Sequence, residues 1–350
     1  MVGVSLLKLQ RTIHAKLILD RRGKQDAVRR EYSAWQRQLQ GNDERLYSAT
    51  RQQADRFKRR VGKQNGHGLK PREYPLILRH DCVKIQCQKD SVFEWWIRIP
   101  LHPESIWVPI QFPHEQEPLL KYDLRECKLI RDGQNWFVNI TVEKKTRLKR
   151  RYTTVLPVDM GIRKLATTIE DGKPQFYGKD VRRTRGAYFR LRRSVAKPRI
   201  IKKWRHKERE TVKHQVHTIT RRIVDHAKAL NAIIAIGDLK GIRDNGKARR
   251  FNRRLASQPF YLFSQLLTYK AAWEGIRVLT VPEAYTSQTC SRCGMRGHRV
   301  SGRFSCTSCG LKIDADVNGA WNIGKRAHGL SVHETGGLLA VPRTLAVCEP

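Results

Sequence analysis

The chain has 350 residues, with 70 Lys and Arg against 32 Asp and Glu and a formal net charge of +38. That length permits two or three domains with a sizeable core. No apolar run approaches the roughly 20 residues of a membrane-spanning helix, and Met1-Val-Gly-Val-Ser-Leu-Leu-Lys8 lacks a signal core, so a cytoplasmic protein is expected. Charge this one-sided exceeds what solubility requires and points to a polyanionic partner, nucleic acid first.

Val4 to Leu19 alternate in part between apolar and polar, which predicts an opening strand or two. From about Lys24 the period lengthens. Val28, Tyr32, Trp35 and Leu39 share one helical face, Gly41-Asn42-Asp43 ends that helix and offers a cap to the next, and Tyr47, Ala54, Phe57 and Val61 continue at helical spacing. Gln64-Asn-Gly-His-Gly68 closes the pair. Arg51, Arg56, Lys58, Arg59 and Arg60 on its outer face are open to two readings, nucleic-acid contact or a solvated helix face. Strands are predicted over Val83–Cys87, Phe93–Ile99, Ile106–Phe112, Cys127–Arg131 and Asn135–Val142, with Asp132-Gly133 as a hairpin turn. Lys144 to Arg151 reads as a basic linker.

Val155–Met160 and Lys164–Ile169 read as two strands, and Asp171-Gly172 turns the chain into a third at Gln175-Phe-Tyr. A basic run follows, with Arg182, Arg183, Arg185, Arg190, Arg192, Arg193, Lys202, Lys203 and Arg205 interleaved with Tyr188, Phe189 and Trp204. Cations neutralise phosphates and aromatic rings offer stacking surfaces, and a merely solvated helix would carry both signs of charge. The run is therefore read as a nucleic-acid contact. Val212, Val216, Ile219, Ile223, Ala227 and Leu230 trace a helical stripe, and Ala232–Ile236 is an apolar strand of the kind buried in a parallel sheet. After a basic loop from Arg243 to Arg254 come a helix through Tyr261 to Trp273 and a strand at Arg277–Val281, which delivers Glu283 just past its end. After Ile323 the tail is short and weakly patterned.

Between these last elements lie two C-x-x-C-G turns, Cys290/Cys293 and Cys306/Cys309. Four thiolates at this spacing suit a closed tetrahedral zinc site; two disulfides are the alternative, disfavoured in a chain without a secretory signal. Cys82, Cys87, Cys127 and Cys348 show no ligand spacing and read as buried or free thiols. The ribbon is flanked by Glu283 on one side and Asp314-Ala-Asp316-Val-Asn318 on the other, so its closure draws two acidic segments together.

The run Thr286-Ser-Gln-Thr-Cys290-Ser-Arg-Cys293-Gly, the second C-x-x-C-G and Asp314-Ala-Asp-Val-Asn-Gly-Ala-Trp-Asn-Ile323 resemble the C-terminal signature of the TnpB family, RNA-guided nucleases related to Fanzor proteins and type V CRISPR effectors. Upstream, Val158-Asp159-Met-Gly-Ile-Arg-Lys-Leu-Ala166 resembles the family's first RuvC motif. The resemblance covers about Val155 to Ile323. It implies an α/β RNase H-like (RuvC) nuclease domain over 151–325 with a zinc ribbon inserted at 286–313. It also implies an antiparallel β, wedge-like domain over 1–24 and 76–150, a helical recognition-like insert at 25–75, and a tail at 326–350. The implied activity is RNA-guided cleavage of DNA by two Mg²⁺ or Mn²⁺ ions held by carboxylates, with guide RNA and target DNA as partners and no membrane.

Asp159 and Asp316 match two members of the family's catalytic set, with Asp314 the weaker candidate for the second. The glutamate that usually ends the fourth strand is replaced by Gly237 in Ile236-Gly237-Asp238-Leu239. Glu283 is the best substitute: a strand at 277–281 lying parallel beside 232–236 would open both C-terminal ends on one crevice. Asp238 is the runner-up. A nuclease-dead guided binder acting as a repressor is one rival reading, and a guide-independent zinc-ribbon binding protein is the other.

Overall fold

In a computed structural model of the chain the described residues are 7–19, 22–41, 46–65, 74–149, 151–238, 258–282 and 285–335. They fall into two compact units, one over Lys8–Lys145 and the other over the remainder. Each is taken by itself.

The first unit is built on a seven-stranded sheet with the order β2-β6-β7-β1-β5-β4-β3. Its strands are β1 (Leu7–Leu17), β2 (Leu76–Leu78), β3 (Lys84–Cys87), β4 (Trp95–Ile99), β5 (Ile106–Gln111), β6 (Asp123–Asp132) and β7 (Asn135–Thr146). Helices α1 (Arg22–Gln40) and α2 (Ser48–Asn65) lie between β1 and β2 in the chain. Alternation explains the sheet: Ile13, Ala15 and Leu17 of β1 are buried while their neighbours face outward. The helical period explains α1, whose Val28, Tyr32, Trp35 and Leu39 are all buried. Tyr47, Phe57 and Val61 are only half-buried and Ala54 is fully so. Asn42 and Asp43 lie outside the described residues. The three-residue strand β2 escapes sequence reading because Leu76-Ile-Leu78 is buried on every residue and too short to show a period.

The second unit holds a five-stranded sheet in the order β10-β9-β8-β11-β12. The strands are β8 (Thr154–Asp159), β9 (Ala166–Glu170), β10 (Lys173–Tyr177), β11 (Ala232–Asp238) and β12 (Val278–Pro282). The first three form an antiparallel meander, and β8, β11 and β12 run parallel to one another. Asp171 and Gly172, both at positive φ (44° and 77°), make the tight turn that Asp-Gly predicts. Helices α3 (Lys179–Arg193) and α4 (Pro198–Ala229) lead into β11, and α5 (Phe260–Trp273) leads into β12. The stripe Val212, Val216, Ile219, Ile223 and Ala227 of α4 joins one core with Phe263, Leu267 and the apolar residues of β11. The basic loop 243–254 lies outside the described residues. A final helix, α6 (Ala315–Thr335), continues past Ile323 through a stretch that reads as tail. Its glycines depress helix propensity by about 1 kcal/mol each relative to alanine, yet they let it approach the sheet: a Cβ at Gly324 would meet Pro157 at 3.4 Å.

Candidate functional site

The site forms where β8 ends and α6 begins. Alternation along β8 turns Pro157 and Asp159 to one face and Leu156 and Val158 to the other. On the first face α6 supplies Gly324 against Pro157 and Gly319 against Asp159. A Cβ on Gly319 would sit 3.0 Å from the Asp159 carboxylate, and one on Gly161 would sit 3.4 Å from that of Asp316. Each carboxylate thus lies against a glycine of the other's segment, closely enough that a Cβ on Gly319 would crowd Asp159. Asp159 is 9% exposed and Asp316 5%. Burial pushes the Asp316 carboxyl up, opposed by the guanidinium of Arg299, whose Nη2 donates to Oδ1 at 3.0 Å. Two buried acids on adjoining segments offer hard oxygens of the kind that suit a divalent cation.

Asp314 has a different setting. Its Oδ1 accepts the backbone N–H of Asp316 at 3.0 Å, an N-cap bond for α6, and its Oδ2 accepts Lys164 Nζ at 2.7 Å. Burial pushes this carboxyl up, but the Lys164 hydrogen bond and the N–H groups of Asp316 and Val317 outweigh it and hold it below the usual range. Sequence reading missed Lys164, Arg299 and Arg163, whose guanidinium would lie 2.6 Å from a Cβ on Gly302. Arg163 and Lys164 lie in the first RuvC-like motif and Arg299 between the knuckles, and nothing in the spacing distinguishes them from the surrounding positive charge.

In the pairing register Ile236 stands opposite Val158 and Gly237 opposite Val281. Gly237 therefore occupies the place on β11 next to Asp159 and brings no ligand to it. Asp238 pairs with Pro282 at the end of β12. Glu283 lies outside the described residues.

The four ribbon sulfurs converge. Cys290, Cys293, Cys306 and Cys309 place their ligand atoms within 4.8 Å of one another. Sγ of Cys290 is 3.6 Å from that of Cys309, and Sγ of Cys293 is 3.5 Å from that of Cys306. A disulfide requires about 2.05 Å, whereas thiolates ~2.3 Å from a tetrahedral ion stand ~3.8 Å apart. The spacing fits a metal and excludes the two-disulfide alternative. The two knuckles repeat each other: Gly294 N–H donates to Cys290 O at 3.0 Å and Gly310 N–H to Cys306 O at 3.1 Å, both glycines at positive φ (77° and 73°). The N–H of Cys309 helps lower the Cys306 thiol to about 6, against its burial. The strands β13 (His298–Val300), β14 (Arg303–Ser305) and β15 (Lys312–Asp314) complete the ribbon around buried Phe304.

Asn318, the asparagine of the D-x-N motif, is fully buried and faces the ribbon. Its Oδ1 accepts Ser291 N–H at 2.9 Å and its Nδ2 donates to Thr289 O at 2.8 Å. Asn322 adds bonds to the carbonyls of Thr286 and Thr289, both at 2.8 Å, and Lys325 binds Ser291 O. One helix therefore carries Asp316 and also fastens the first knuckle.

The basic run lies on α3 and the start of α4. Arg182, Arg183, Arg190, Arg193, Lys202, Lys203 and Arg205 are exposed. Arg185 and Arg192 are half-buried: Arg192 pairs with Glu208 of α4, and burial lowers the Arg185 guanidinium. Cys82, Cys87 and Cys127 are free thiols; Cys348 lies outside the described residues. Among the described residues no helix is long and apolar enough to cross a membrane.

Residues 260–323 match the model of the Cas12f1-like TNB domain family. The chain is 27% identical over 286 residues to the CRISPR-associated endodeoxyribonuclease Cas12f2 of a Micrarchaeota archaeon, covering 71% of this chain and 52% of that protein. It is 31% identical over 134 residues to a TnpB-like protein of Methanocaldococcus jannaschii, covering 37% and 47%. The chain thus spans about half the length of these relatives. Its fold is shared with AacC2c1, solved as a ternary complex with sgRNA and extended non-target DNA, at a TM-score of 0.50 and 10% identity over 75% of this chain and 56% of that one.

Proposed function

We propose that this chain is an RNA-guided DNA endonuclease of TnpB type whose second unit is an RNase H-like nuclease domain, a reading supported by the match of residues 260–323 to the Cas12f1-like TNB domain family and by the likeness to Cas12f2 and a TnpB-like protein. The observation that carries the reading is the meeting of Asp159 and Asp316 across Gly161 and Gly319 at one end of a mixed sheet. Asp159 and Asp316, with Glu283 in place of the ligand absent at Gly237, would hold Mg²⁺ or Mn²⁺; such ions activate water for attack on a phosphodiester and stabilise the departing oxygen. The four cysteines would hold a structural Zn²⁺. In the first unit, the β sheet is read as a wedge-like domain and α1 and α2 as a recognition-like insert. Guide RNA would select the sequence by base pairing while the protein grips the heteroduplex through its backbone.

The test is a cleavage assay with the RNA that copurifies with the protein as guide, in Mg²⁺ and in EDTA. Asp159→Ala and Asp316→Ala are each expected to lower cleavage at least ~1,000-fold while guided binding stays within a few-fold, since each removes a metal ligand without touching the nucleic-acid surface. Gly237 favours the second reading, a guided repressor that does not cut. Wild-type protein that binds target but leaves it intact in Mg²⁺ and Mn²⁺ would establish it.

The exposed cations of α3 and α4 supply the backbone grip in this reading. Neutralising Arg190, Arg193, Lys202 and Lys203 together should reduce the slope of log affinity against log salt by up to about 3 to 4, at roughly 0.9 per lost phosphate contact. An unchanged slope in a filter-binding titration removes these residues from the interface. Arg192→Ala, which breaks the pair with Glu208, should alter the slope far less.

A further inference from the structure

The two acids of Asp314-Ala-Asp316 face different partners, and we propose that Asp314 is a positioning residue, held by Lys164, that fixes the direction of Asp316 and is not itself a metal ligand. The proposal deepens the nuclease reading above and rests on it. Both oxygens of Asp314 are engaged by the chain: Oδ1 by the N–H of Asp316 and Oδ2 by Lys164 Nζ at 2.7 Å. The first bond fixes the opening turn of α6, and Asp316 is the second residue of that turn. The second bond reaches across to the turn that follows Asp159.

Lys164 is built into that turn. The N–H of Gly161 donates to Leu165 O at 3.4 Å, closing the loop in which Lys164 sits, and the ammonium lies 3.6 Å from the centroid of the Phe176 ring. Only 14% of the Lys164 side chain is exposed. A lysine held by a ring below and a carboxylate in front has little freedom to swing away. The chain of contacts therefore runs from Asp159 through the 160–165 turn to Lys164, Asp314 and Asp316. It ties the strand bearing one metal-binding carboxylate to the helix bearing the other. Preorganised ligands of this kind bind a cation without the entropy of gathering them.

The readout is Mn²⁺ affinity of the full chain, by electron paramagnetic resonance titration of the free ion, alongside cleavage. A positioning role predicts that Asp314→Ala weakens Mn²⁺ about ten-fold. Asp314→Ser, whose hydroxyl still caps the helix, should recover most of that loss, and Lys164→Met should weaken Mn²⁺ several-fold. A ligand role predicts the reverse pattern: serine as damaging as alanine, and Lys164→Met equal to or tighter than wild type because it releases the carboxylate. That pattern overturns the proposal alone. A wild-type chain that takes up no Mn²⁺ overturns the nuclease reading and this proposal together. Lys164→Met keeps the cap bond, so it reports even if Asp314→Ala fails to fold.

Discussion

Cys306→Ser should release the metal ion proposed for the ribbon and disable the proposed carboxylate site some distance along the chain. Apart from the hydrogen bonds of Asn318, Asn322 and Lys325 to the first knuckle, the ribbon has only a small core: Phe304 and Ala315 with the cysteines and partly buried Leu311 and Ile313. A structural zinc contributes on the order of 10–16 kcal/mol in isolated finger peptides, far more than so few apolar contacts. Without the ion, residues 285–314 should unfold. Asn318 and Asn322 would then lose their partners at Thr286, Thr289 and Ser291, and Asp316 would lose Arg299. Elemental analysis should find one zinc per wild-type chain and none in the variant. The variant should also be nicked by trypsin within the ribbon at Arg292, Arg296, Arg299 and Arg303, whose side chains are exposed already but whose backbone would lose its fold, and its DNA cleavage should drop at least ~100-fold. A metal-free variant with wild-type protease resistance would show that the knuckle hydrogen bonds alone hold the ribbon.

The parts of this arrangement that sequence reveals are those with a strong local cause. The knuckle turns announce themselves by Cys-x-x-Cys-Gly, the β9–β10 turn by Asp171-Gly172, and α1 and the second half of α4 by a regular apolar stripe. The parallel strand β11 follows from an unbroken apolar run after a helix. What stays hidden is set by tertiary partners. The first half of α4, from Pro198, shows no apolar stripe because it is charged on most sides, and its helical period surfaces only at Val212. The extension of α6 to Thr335 is masked by Gly324 and Gly329, the first of which is retained for contact with Pro157. Lys164 and Arg299 cannot be singled out among 70 basic residues until their carboxylate partners are placed. The motif asparagine is legible as a marker, but its work as a fastener needs the coordinates of the knuckle.

Glu283→Ala should abolish Mg²⁺-dependent cleavage, by ~1,000-fold or more, with guided DNA binding nearly intact. The strand register leading up to Pro282 gives the reason. Asp159 on β8, Gly237 on β11 and Val281 on β12 occupy one row across three parallel strands, with Val281 fully buried. Gly237 is the position from which a side chain would meet Asp159, and it has none. Pro282 pairs with Asp238 at the end of β12, and Glu283 follows it in the sequence, two residues after Val281; we propose that its carboxylate fills the gap left at Gly237. Proline there restricts the backbone on leaving the strand. Asp238 is displaced by one residue from the row of Gly237, so Asp238→Ala should lower cleavage less than ~10-fold. A rescue experiment separates relocation from general damage. Adding Gly237→Glu to the Glu283→Ala variant returns a carboxylate to the row from the neighbouring strand and should restore measurable cleavage. If Glu283→Ala cuts at the wild-type rate, the third carboxylate comes from elsewhere. If the rescue fails while Asp238→Ala is inactive, Asp238 is the ligand and the relocated glutamate is lost as an explanation.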